Sequence, residues 1–93
     1  MPKYTIRVEL EGRPTREEYD KLHQRMQSLG FSQTVNGVQG DKSVVVQLPT
    51  GLYYGASDNE TSKVSQNVYD QARAIRKVIC VFVARTDTWS SRP

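Results

Sequence analysis

Three groups of residues in this chain have types and spacings suited to chemistry: one histidine, one cysteine, and cations interleaved with aromatics. His23 is the single histidine, so a His pair or a His-rich metal site is excluded. It stands beside Leu22, one residue off an apolar helical stripe, where a boundary side chain is expected. Acid–base work would need a carboxylate or nucleophile brought near it, and the spacing supplies neither. Cys80 lies inside an apolar run, where a buried, inert thiol is expected. Asp41, Asp58 and Asp87 are separated along the chain, and turn or cap duty accounts for the first two. Metal ligation would need more Cys or His, or a carboxylate cluster, so neither metal nor cofactor is expected. Gly37 and Gly40 lack the strand-then-helix setting and the Lys-Ser/Thr partner of a phosphate loop. No catalytic constellation emerges.

The cationic and aromatic set is Arg7, Lys42, Tyr54 and Arg85. Cations beside exposed rings on a sheet face suit single-stranded nucleic acid, because charge tracks phosphate and rings stack on bases. A net charge of +3, from 13 Lys and Arg against 10 Asp and Glu, permits an RNA partner without requiring one. A solvated mixed surface explains the same residues, and the expected central strands offer Arg7, Glu9, Val45 and Gln47 rather than several aromatics.

These residues must be held by a small scaffold. Ninety-three residues, 37% hydrophobic and 25% charged, match one globular domain, taken as residues 1–85 with a polar tail over 86–93. One cysteine excludes an intramolecular disulfide, which fits a reducing, cytoplasmic setting. No apolar run reaches the ~20 residues of a membrane span, so no membrane partner is expected.

Tyr4, Ile6, Val8 and Leu10 alternate with polar residues and predict a strand. Thr15 with Glu18 reads as a capping box opening a helix whose stripe is Tyr19, Leu22, Met26 and Leu29, closed at Gly30. Phe31 to Val35 predicts a short strand, Asn36-Gly37 a turn whose loop runs through Gly40-Asp41, and Lys42 to Leu48 the third strand. Residues 52–59 read equally as strand or loop. A second helix begins near Asn59 or Thr61 and carries Val64, Val68, Ala72 and Ile75, and Val78 to Arg85 forms the last strand. The order β-α-β-β-α-β predicts an α+β, ferredoxin-like split βαβ: a four-stranded antiparallel sheet with both helices on one face.

The last strand is apolar on both faces, yet that topology makes it an edge with only one face sheltered. If Cys80, Phe82 and Ala84 enter the core, then Ile79, Val81 and Val83 face outward near Val45. An apolar edge of this kind invites pairing, so Val45, Ile79, Val81 and Val83 are the expected interface of a homodimer. A tail folded back around Trp89 is the alternative cover.

A capped helix ending in Leu29-Gly30-Phe31-Ser32, a hairpin, a second helix and an apolar final strand resemble the GhoS-type antitoxin proteins over roughly residues 4–85. Those in turn are similar to the small ferredoxin-like CRISPR-associated ribonucleases. The resemblance implies a dimerising domain of a toxin–antitoxin or mobile-element system that binds RNA or a protein partner, and, if it is an enzyme, an endoribonuclease. The ribonucleases carry an aspartate near the end of the first strand; here Glu9-Leu10-Glu11 stands there, so no catalytic residue is carried over.

Overall fold

The computed structural model describes residues 1–39, 41–90 and 92, with the side chains of Val38 and Gln39 excepted. The chain runs β1 (Lys3–Leu10), α1 (Arg16–Ser28), β2 (Phe31–Ser32), β3 (Thr34–Gln39), β4 (Lys42–Gln47), β5 (Leu52–Ala56), α2 (Thr61–Arg73) and β6 (Val78–Arg85). Four strands form one antiparallel sheet in the order β2-β5-β1-β6, and β3 and β4 form a separate hairpin.

The alternation read in the first strand is realised: Tyr4, Ile6, Val8 and Leu10 are buried while Arg7 and Glu9 are exposed. Thr15 Oγ1 accepts from the Glu18 amide at 3.1 Å, and the Thr15 amide donates to the Glu18 carboxylate at 3.0 Å. That reciprocal pair satisfies two of the donors that every helix start leaves free. The Thr15 amide is the main cause holding the Glu18 carboxyl below its ordinary value; Arg76, which donates to both its oxygens, adds to it against partial desolvation. Arg76 also donates to the Glu11 carbonyl, so one side chain beyond the end of α2 ties the approach to α1 in place. Gly30 follows α1 at φ +93°, a left-handed turn that glycine adopts without strain, and Phe31 goes straight into the core.

Leu22 and Met26 of α1 join Val64, Val68 and Ala72 of α2, the even-numbered residues of β1, Phe31 and Tyr53 in a single buried cluster. The Tyr4 hydroxyl donates to the Asn59 carbonyl at 2.8 Å and fixes the approach to α2 against β1.

Two expectations are corrected. Lys42–Gln47 does not enter the main sheet; the strand beside β1 is β5, from the stretch that read equally as loop. The reason is burial. Tyr53 is fully buried, whereas β4 has only alternating half-buried valines and no place in the core cluster. Asn36-Gly37 is no turn either: both lie within β3, paired with Val45 and Val44, and the reversal falls between Gln39 and Lys42, where Gly40 lies outside the described residues. Gly37 has a different use. A Cβ there would stand 2.8 Å from the ring of Trp89, so its bare backbone is the seat on which the tail's indole rests.

Candidate functional site

Residues directly opposed in an antiparallel pair share a face, so the register defines the surface away from the core. Arg7 faces Leu52 on one side and Phe82 on the other; Thr5 faces Tyr54 and Ala84; Glu9 faces Cys80. With Lys3, these residues make the open face of the main sheet. Phe82 is its most conspicuous member, an aromatic ring 61% exposed at the strand's middle.

The two faces of β6 are the reverse of the expectation. Val78, Val81 and Val83 pack against the core, while Cys80 and Phe82 are exposed on the open face. A register shift between Glu9 and Leu10 leaves Ile79 without a partner on β1, between the Val78 and Cys80 pairs, and it stays 55% exposed. This bulge lets Val78 and Val81 both meet the core although they are three residues apart. Cys80 is thus an exposed free thiol, not the buried one expected. Val81 and Val83 do not present side chains to the open face, and Val45 lies on the outward face of the separate hairpin, 68% exposed.

The backbone of β6 supplies a second feature. The Thr86 amide donates to the Lys3 carbonyl at 2.8 Å, and the Val8 amide to the Gly51 carbonyl at 2.8 Å. Along an antiparallel strand successive residues direct their N–H and C=O to opposite sides. The odd residues of β1 therefore bond toward β6, through Thr86, Ala84 and Phe82, and the even ones toward β5. Val81, Val83 and Arg85 direct their peptide groups away from β1, to the free edge of the sheet. No charged side chain interrupts this edge between Lys77 and Arg85. On its core-side flank a shallow groove of about 240 Å³ runs between α2 and β6, lined by Ser65, Gln66, Tyr69 and Val81.

Of the nucleic-acid set, Arg7 and Tyr54 are brought together on the open face as diagonal neighbours. Arg85 is paired with Tyr4, whose side chain faces the core, so it belongs to the opposite face at the sheet's end, beside Met1, Pro2 and Asp87. Lys42 stands at the far end of the hairpin, opposite Gln39. The four do not form one patch. Cys80 and Phe82 belong to the surface but were not legible there in the sequence, because a strand apolar at every position carries no alternation to tell its faces apart; Leu52 joins them from a stretch that read equally as loop.

His23 lies on the core side. Its Nδ1 is 2.6 Å from the Tyr53 hydroxyl and its ring stacks on Tyr19 at 6.3 Å. Desolvation lowers the imidazole pKa, partly opposed by Asp20, and burial pushes the Tyr53 phenol up. Both groups are held neutral at physiological pH. That makes the pair a polar bond between α1 and β5.

Among the described residues the tail leaves Phe82 and Ile79 of β6 exposed. Thr86 Oγ1 meets Thr5 Oγ1 at 2.6 Å, and Trp89 rests on Gly37, bordering a cavity of about 250 Å³ with Lys3, Ser32, Asn36, Tyr54 and Gly55. Among the described residues no three His, Cys, Asp or Glu side chains gather into a metal-holding group, and no helix is long and apolar enough to cross a membrane. No family model, no curated protein and no solved structure matches the chain.

Proposed function

We propose that the protein is a small homodimeric interaction module, antitoxin-like in role, that associates through strand β6. One observation carries this reading: Ile79, Cys80 and Phe82 are exposed on an edge strand whose outward peptide groups at Val81 and Val83 have no protecting charge beside them. Monomers commonly blunt such edges with lysine, proline or a covering loop. Between Lys77 and Arg85 the protecting device is the bulge at Ile79, and residues 80–85 keep an unbroken register with β1. A second copy supplies both what the peptide groups and what the apolar side chains lack, and a two-fold dimer does so for both chains at once. The strand order supports a ferredoxin-like split βαβ beneath this surface, with β5 as third strand, the β3–β4 hairpin inserted before it, and both helices over the face of Ile6 and Val8. Light scattering at micromolar concentration tests the reading. The wild type gives twice the chain's 10.6 kDa, and Phe82→Asp weakens association at least about tenfold, some 1.4 kcal/mol. A wild type that stays at 10.6 kDa overturns it.

A second reading has its own support. Arg7 sits between Leu52 and Phe82 with Tyr54 one step away, a cation among rings on a sheet face, and Glu9 stands beside Cys80 on the same face. Such a surface suits single-stranded RNA, as binding protein or as metal-dependent endoribonuclease. Labelled single-stranded RNA then binds at low salt, weakens steeply as salt rises, and loses affinity in Arg7→Ala. Absence of binding at low salt, with no cleavage in magnesium or manganese, removes this reading.

A further inference from the structure

We infer that the partner of β6 is the β6 of a second copy in one register, antiparallel, with the two-fold axis passing between the two Phe82 side chains. The inference rests on the dimer reading above and adds what that reading leaves open, namely which residues meet. The peptide groups of Val81, Val83 and Arg85 point outward, so any antiparallel self-pairing must bond odd residues to odd residues. Three registers place the axis near the middle of the strand. They centre on Val81, on Phe82 or on Val83.

Side-chain chemistry separates them. Centring on Val81 sets Phe82 of each chain against Cys80 of the other, so neither ring meets its copy. Centring on Val83 turns Phe82 onto Ala84, so again neither ring meets its copy. Centring on Phe82 bonds Val81 to Val83 in both directions and sets Cys80 against Ala84. Phe82 then faces its own copy at a non-hydrogen-bonded position, where opposed Cα atoms come closest and aromatic pairs gain most. The joined sheet has eight strands, and its open face gathers Phe82, Cys80 and Arg7 from both chains into one surface.

Disulfide trapping reads the register. At a non-hydrogen-bonded pair the Cα separation falls within the range that a disulfide spans. Two variants carry the test. The double variant Cys80→Ser/Phe82→Cys has its only thiol at the axis, so under mild oxidation it forms one interchain disulfide. The single variant Ala84→Cys, with the native Cys80 retained, forms two by symmetry. Centring on Val81 or on Val83 leaves the thiol of the double variant opposite position 80 or position 84, with no sulfur to meet. Phe82 and Cys80 are exposed, so these substitutions keep the core intact. The proposal expects a covalent dimer from both variants. A dimer by light scattering in which Cys80→Ser/Phe82→Cys forms no disulfide overturns this register and leaves the dimer reading standing. A wild type that is monomeric by light scattering overturns both.

Discussion

The Tyr53 hydroxyl lies 2.6 Å from Nδ1 of His23, joining the strand beside β1 to helix α1 through one bond between two rings. Tyr53 has no exposed surface, so its hydroxyl depends on this partner. Replacing His23 with leucine orphans it and costs about 1–3 kcal/mol of stability, read by urea denaturation.

The same pair sets a pH dependence. His23 has a folded-state pKa below its ordinary 6.5, so the unfolded chain binds the proton more tightly. Stability is fully present above pH 6.5 and is lost as pH falls through 6.5 toward the lower folded value. Tyr53 acts at the other end. Its pKa is raised above 10.0, so stability falls again as pH rises past 10. Melting temperature against pH shows a plateau between these limits, and His23→Gln flattens its acid side; an unchanged acid limb in that variant contradicts the assignment.

Gly55 pairs with both Phe31 and Tyr4, and a Cβ on it would collide with the Gly30 carbonyl and stand 2.8 Å from the Phe31 ring. Backbone cannot yield as a flexible side chain does. Gly55→Ala therefore destabilises by about 3 kcal/mol or more, at or above the upper end of overpacking costs. Thermal melting checks it, with the neighbouring Ala56→Ser as a mild control.

At Gly37 the obstacle is a side chain, Trp89 at 2.8 Å. Gly37→Ala lifts the indole from β3 and leaves the fold standing, since Gly37 needs no positive φ. The chain has one tryptophan, so its emission reports this directly: it shifts to the red while the far-ultraviolet circular dichroism stays unchanged.

Both helices and the first strand were legible because their apolar residues repeat with a clear period, and the last strand because it is an unbroken apolar run. Thr15 and Glu18 even disclosed the cap that begins α1. The sequence reading failed where period and turn chemistry disagreed with packing. Leu52 to Ala56 has mixed character, and its place beside β1 depends on Tyr53 finding His23, thirty residues away. Asn36-Gly37 carried a strong local turn signal, overridden by the β3–β4 pairing that runs through both positions. The faces of β6 turned on a one-residue bulge at Ile79, which moves every later side chain to the other face. Arg7 and Tyr54 were legible as surface residues, but Phe82 was assigned to the core for that reason alone.

The most direct test of the β6 interface is amide hydrogen exchange along the strand. The amides of Phe82 and Ala84 are directed to β1 and are protected in any state of association. Those of Val81 and Val83 point outward and are protected only when a second copy pairs with them. At high micromolar concentration all four exchange slowly, and dilution or Phe82→Asp releases Val81 and Val83 while Ala84 stays protected. Fast exchange at Val81 and Val83 at every concentration, beside a protected Phe82 and Ala84, contradicts the account.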